Sequence, residues 1–149
     1  EYISDIQRVW YLQPAGETSI PAPIQHAFDS VRAAIMAAAA VLKPGVEGWV
    51  VDEAARSTIV AAGYPEYQHA VGHGIGRTVH DGATLLGPRW ERYGNTPFGI
   101  VEKDNCYTLE LGVQVPGYGL VSLEEDVIVT DHGIEWLGKP QTEIIVVRV

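Results

Sequence analysis

The sequence predicts a single α+β domain, and three observations carry that prediction. Apolar residues recur at helix spacing through residues 24–42 and again through 49–62. Residues 107–115, which alternate apolar and polar side chains, and residues 120–130 read as two strands joined by Pro116-Gly117-Tyr118-Gly119. The order along the chain is a strand, two helices and then mostly strands, which segregates helix from sheet.

Residues 2–12 are rich in β-branched and aromatic side chains, which suit a strand, and Gln13-Pro14-Ala15-Gly16 breaks it. Pro21 and Pro23 precede a helix whose apolar face begins Ile24, Ala27, Phe28, Val31 and runs on to Leu42. Lys43-Pro44-Gly45 ends it, because proline cannot continue the helical ladder and glycine permits the reversal. A second helix over 49–62 buries Val51, Ala54, Ala55, Ile59 and Ala62, with Gly63 as its C-terminal cap. Asp52 and Glu53 are placed in its first turn, where negative charge suits the helix dipole, which favours a structural role for both. From Tyr64 the pattern changes to strands and loops. Residues 69–76 are glycine-rich, and 81–105 read as an irregular excursion marked by Gly87-Pro88, Gly94-Asn95 and Pro97. The two strands then form a hairpin by turn chemistry, and a short last hairpin follows around Asp131-His132-Gly133. The chain opens in what reads as mid-strand, with neither a methionine nor a turn signal, as expected of a fragment or a processed chain.

With 149 residues, 46% of them apolar and 19% charged, the chain is long and apolar enough for one real core. Its net charge of −9 disfavours a sequence-independent grip on nucleic acid, which needs lysine and arginine to displace phosphate counterions. No apolar run is long enough to span a membrane and no signal peptide is visible, so a cytoplasmic protein is expected. The single cysteine, Cys106, allows no intrachain disulfide and no cysteine-based zinc cage, and reads as a small buried apolar residue.

Two constellations carry chemistry. The first is His69-Ala70-Val71-Gly72-His73-Gly74-Ile75-Gly76 followed by His80. His69 and His73 are spaced for one helix face, but Gly72, Gly74 and Gly76 each cost a helix about 1 kcal/mol relative to alanine. Glycines flanking His73 point instead to a backbone passing close to something bulky or charged. Imidazole is a common metal ligand and a usable acid or base near neutral pH. The second constellation is the hairpin. Leu109, Leu111, Val113 and Val115 share one face, and Glu110, Gly112 and Gln114 share the other. On the partner strand Ser122, Glu124 and Asp126 share a face, and folding about Gly117 sets Glu110 opposite Glu124 to within one residue of register. Spacing does not separate Glu124 from Glu125. Two carboxylates side by side repel, and a cation between them relieves the repulsion.

These residues resemble the motifs of the creatinase/aminopeptidase P/prolidase-type (M24) metallopeptidase family. Gly72-His73-Gly74-Ile75-Gly76 with His80 is similar to its histidine motif, and Ser4-Asp5-Ile6-Gln7-Arg8 to its second-aspartate motif. Lys43-Pro44-Gly45 with Val51-Asp52-Glu53-Ala54-Ala55-Arg56 resembles its helical linker. Thr108-Leu109-Glu110-Leu111-Gly112 and Leu123-Glu124 with Val127-Ile128-Val129-Thr130 resemble its two glutamate motifs. Order and spacing agree over nearly the whole chain.

The resemblance implies part of a pita-bread fold, a curved antiparallel sheet with two helices packed on it, in an N-terminally incomplete catalytic domain spanning residues 1–149. It implies a site for two divalent ions, Mn²⁺, Co²⁺, Fe²⁺ or Zn²⁺, with Asp5 and Glu124 on one, His73 and Glu110 on the other, and Glu124 bridging. Aligning the closing Val-Ile-Val-Thr strand selects Glu124 over Glu125. A fifth ligand, an aspartate roughly a dozen residues before Asp5, falls off the N-terminus, so the chain alone is expected to be inactive. The implied activity is hydrolysis of an N-terminal peptide bond, of Xaa-Pro type, by a metal-activated hydroxide. Glu110 would help move the proton, His80 would steady the carbonyl or oxyanion, and His69 would line the peptide pocket. The full-length protein is expected to be a homodimer. Two further readings are a creatinase-like amidinohydrolase and a non-catalytic peptide-binding module. Two positions depart from the aminopeptidase P and prolidase pattern: Leu111 stands where proline is usual, and Ser122 where arginine is usual. The second change removes a partner for the metal carboxylates.

Overall fold

A computed structural model describes residues 1–149. The elements run β1 (Trp10–Gln13), α1 (Ala22–Val41), α2 (Gly48–Ala61), two single 3-10 turns (Glu91–Tyr93 and Thr96–Phe98), β2 (Cys106–Val115), β3 (Gly119–Val129), β4 (Ile134–Trp136) and β5 (Ile145–Arg148). β2, β3 and β4 form an antiparallel meander that carries the site, and β1 pairs in parallel with β5 as a second, small sheet. The α+β class, with two helices and an antiparallel sheet, matches the sequence prediction, and of the two helices α1 is the one that lies on the sheet. The parallel pair is an addition to that prediction.

Strand alternation decides which side of the sheet is core. Tyr107, Leu109, Leu111 and Val113 on β2, with Val121, Leu123 and Val127 on β3, are all buried and join one apolar cluster with the helices. α1 packs on β2, β3 and α2. Ala27, Ala34 and Ala38 are fully buried on α1, and side chains this small let neighbouring backbones approach closely. Leu111 is part of this core and sits opposite Leu123, which is a packing reason for its identity.

Four expectations need correction. The first regular strand is only Trp10–Gln13; residues 3–7 touch their neighbours through one backbone bond, Ile3 N–H to Gly76 O, and an isolated two-bond bridge between Gln7 and Glu124. From Tyr64 to Asn105 the chain forms no named strand, because its pairings are isolated bridges such as Gly72–Leu86 and Gly74–Tyr107. Asp52 is not in the first turn of α2, which begins at Gly48, so the helix dipole is not its role. Cys106 is only partly buried.

Asp52 is instead half of a buried ion pair. Arg56, one turn later, donates from Nε and Nη2 to its two carboxylate oxygens at 2.6 and 2.7 Å. The same guanidinium donates to the carbonyls of Tyr67 and His69, and lies over the Trp90 ring. Arg92 covers Trp90 too, at 4.5 Å from the ring centroid, and donates to Gln68 O, while the Tyr93 hydroxyl accepts from Ala70 N–H. The irregular excursion is thereby fastened to α2, and both hold the segment that delivers His69. Removing one member of a buried pair leaves the other charged and unpaired. Arg56→Ala is therefore expected to lower unfolding free energy by about 3–5 kcal/mol in a urea titration, and a loss under about 1 kcal/mol would contradict this account.

Candidate metal centre

The site is built across four adjacent backbone segments. Residues 71–75 run beside β2 as an irregular ladder: Glu110 N–H bonds Val71 O at 2.7 Å, Thr108 N–H bonds His73 O at 3.0 Å, and Ile75 N–H bonds Cys106 O at 3.1 Å. The Thr108 hydroxyl accepts from His73 N–H at 3.1 Å. Two glycines make this approach possible. A Cβ on Gly72 would lie 2.0 Å from Thr108 O, and one on Gly74 would lie 2.3 Å from Gly82 O. The bulky neighbour expected of these glycines is thus the backbone of β2 and of the returning loop.

The register of the hairpin sets Glu110 directly across from Glu124, and Thr108 across from Asp126. Glu125 falls on the opposite face, buried, where Arg8 Nη2 and Gln141 N–H bond its two oxygens at 2.9 and 2.8 Å. Register thus separates the two neighbouring glutamates that spacing left ambiguous. On the far edge of β3 the 5–8 segment is pinned by Arg8, whose Nη1 donates to Glu124 O at 2.9 Å, and by Asp126, which accepts from Asp5 N–H at 3.1 Å.

Asp5, His73 and Glu124 converge, each offering a ligand atom within 4.8 Å of the others. Glu110 Oε1 stands 3.6 Å from His73 Nε2. His73 Nδ1 faces Gly74 O at 3.2 Å, so donation there leaves the Nε2 lone pair aimed into the cluster, as a metal-binding imidazole requires. The His80 ring is 4.3 Å from the His73 ring, centroid to centroid. His69 lines a cleft of about 470 Å³ together with Tyr67, Glu110, Gln7, Ser122 and Leu120. All six residues singled out from the sequence therefore fall in one region. His69 and His80 are exposed on its rim, and Glu124 lies at its buried base.

The electrostatics are those of crowded carboxylates. Burial, then the charges of Glu110 and Asp5, push Glu124 up to about 8. Burial and Asp5 push Glu110 up to about 7, with His80 opposing. Burial, with Glu110 and Glu124 adding to it, pushes the Tyr67 phenol up to about 12. Glu124 Oε1 and Asp126 Oδ1 are buried without a protein partner. Buried carboxylate oxygens are rarely left bare, and a cation is a chemically apt partner. The donor set, carboxylate oxygens with one imidazole, suits a divalent transition ion.

Four residues here were not given a role by the sequence: Gln7, Arg8, Tyr67 and Asp126. Gln7 shares the alternation phase of Asp5, and Asp126 that of Glu124, so strand period was the available signal for both. Arg8 and Tyr67 act through contacts distant in sequence and carry no such mark. The missing arginine also has a structural answer: Gln7 Nε2 donates to Glu124 Oε2 at 2.7 Å, so that carboxylate is not left without a partner.

A family model, Metallopeptidase family M24, matches residues 1–131. The chain belongs to this family. It is 34% identical over 109 residues to the Xaa-Pro dipeptidase of Lactobacillus helveticus, covering 72% of the chain and 27% of that protein. Among solved structures it superposes on dipeptidase PepE from Mycobacterium ulcerans with a TM-score of 0.83 at 28% identity, over 99% of the chain and 37% of that protein. It superposes on the X-Pro aminopeptidase from Thermotoga maritima with a TM-score of 0.82 at 31% identity, over 98% of the chain and 38% of that protein. The fold is therefore the expected portion of a pita-bread domain. The chain spans between about a quarter and two-fifths of the length of these relatives.

The raised carboxyls predict a pH dependence for metal-free protein. Glu110 and Glu124 hold protons more tightly folded than unfolded, so stability falls as pH rises from the ordinary glutamate value of 4.5 through about 7 and about 8, and levels off above. Melting temperature in the presence of chelator is expected to drop across that window, with a shallower slope in the Glu110→Gln/Glu124→Gln double variant. Equal slopes would contradict the assignment.

Proposed function

We propose that this chain carries the metal-binding part of a peptidase that hydrolyses an N-terminal peptide bond, of Xaa-Pro type. The observation that carries this reading is the convergence of Asp5, His73 and Glu124, with Glu110 directly opposite Glu124 and one Glu124 oxygen buried and unpaired. The names of the relatives, Xaa-Pro dipeptidase and X-Pro aminopeptidase, support the substrate class. On this reading Asp5, His73, Glu110 and Glu124 would hold two divalent ions.

The ions, when bound, supply Lewis-acid activation of a water and of the scissile carbonyl. The residues supply the rest. Glu110 lies on the cleft wall, where its carboxylate is placed to accept the proton of the attacking water and return it to the leaving amine. His80, exposed beside His73, would donate to the carbonyl oxygen as negative charge develops there. His69, held by Arg56 through its carbonyl, shapes the cleft in which the peptide lies. His73 takes no part in proton transfer, since one ring nitrogen is engaged by Gly74 O and the other is reserved for a metal.

The intact protein loaded with Mn²⁺ or Co²⁺ is expected to release the first residue from Xaa-Pro peptides. Chelation should abolish that activity, and Glu110→Gln should lower kcat by about 100- to 10,000-fold. Ion binding without cleavage of any Xaa-Pro or other N-terminal peptide would overturn the peptidase reading and favour a peptide-binding module.

A further inference from the structure

The two oxygens of Glu124 have different surroundings. One, Oε2, accepts from the Gln7 side-chain amide at 2.7 Å, and the other, Oε1, is buried with no protein partner. The amide is itself held from behind, because Gln7 Oε1 accepts from the Ser122 hydroxyl at 2.7 Å. These contacts specify which way the amide points. With a cation bound, Glu124 is ionised and only accepts, so the NH₂ group faces Glu124, the amide oxygen faces Ser122, and the hydroxyl is free to donate to it.

The backbone makes this arrangement local and rigid. Gln7 and Glu124 form an antiparallel bridge, exchanging main-chain bonds of 3.2 and 3.4 Å, so their side chains stand next to each other. Ser122 lies two residues from Glu124 on the same face of β3, directly across from Gly112. A Cβ on Gly112 would come within 2.7 Å of the Ser122 Cβ, so glycine there leaves the serine its place.

We propose that Gln7 is a positioning residue for the metal centre and that Ser122 sets the orientation of its amide. The chain of donors, Ser122 hydroxyl to Gln7 amide to Glu124 carboxylate, holds one Glu124 oxygen so that the other is presented to a divalent cation. The device is electrically neutral. It fixes the carboxylate without placing a fixed positive charge beside the cation, which an arginine at this position would do. This inference rests on the proposed reading of the site as a metal centre.

The test is calorimetric titration of Mn²⁺ into the intact protein, with melting temperature in chelator as a control for folding. Gln7→Met keeps the length of the side chain and removes its donor. It is expected to weaken Mn²⁺ binding by about 10- to 100-fold in protein that still melts cooperatively in chelator, at a temperature lowered by the lost bond to Glu124. Ser122→Ala frees the amide to turn and is expected to weaken binding by a smaller factor, and Ser122→Thr, which keeps the hydroxyl, restores it. Wild-type binding together with Gln7→Met affinity within about twofold of it would overturn the positioning role alone. Absence of Mn²⁺ binding by the wild type would overturn the metal-centre reading, and this inference with it. If Gln7→Met fails to fold, the serine pair decides: Ser122→Ala binding as tightly as wild type refutes the role.

Discussion

Glu110 and Glu124 face each other across a hydrogen-bonded strand pair, and most of the site follows from keeping them there. Like charges directly opposite on one face of a sheet destabilise it. Here the opposite face of the same hairpin offsets that cost. Leu109, Leu111, Val113, Leu123 and Val127 are buried against the helices, at roughly 1.5–3 kcal/mol for each large side chain. A one-residue slip in register would turn these residues outward and the glutamates inward. The core therefore holds the carboxylates in a geometry they would not choose, and the proposed cations make that geometry favourable.

The remaining groups are brought to this pair by backbone close approach and by a few strong clamps. Gly72 and Gly74 let the His73 segment lie against β2 and the returning loop. Arg8 spans Glu124 O and the Glu125 carboxylate and so ties the Asp5 segment to β3. Arg56 does the same for the His69 segment from inside α2. Each clamp is a buried or half-buried guanidinium on carbonyls and carboxylates, which supplies direction as well as charge. The site is accordingly crowded with acid at its centre and braced by arginine at its margins.

Much of this was legible in the sequence wherever periodicity is strong. The helices and the hairpin carry regular apolar spacing, and the opposition of Glu110 to Glu124 follows from alternation and the position of a turn. The motif resemblance added Asp5 and the choice of Glu124 over Glu125, and register supplies the physical reason for that choice. Residues 64–105 resisted reading because single bridges and close glycine contacts leave no period. The β1–β5 pair was invisible because a short strand near one end of the chain pairs with one near the other. Asp52 was placed correctly as structural but for the wrong reason, since the helix start lies far enough upstream to make Arg56, not the dipole, its partner. The Gln7–Ser122 bond joins residues 115 positions apart, and no local pattern announces it.

The most direct test of the central claim is anomalous diffraction from crystals of the intact protein soaked in Zn²⁺, recorded across the zinc edge. The account predicts two anomalous peaks in this cluster, one within about 2.0–2.2 Å of His73 Nε2 and beside Glu110, the other beside Asp5 and Glu124. Anomalous density absent from this cluster, or centred on Glu125 instead, would contradict it.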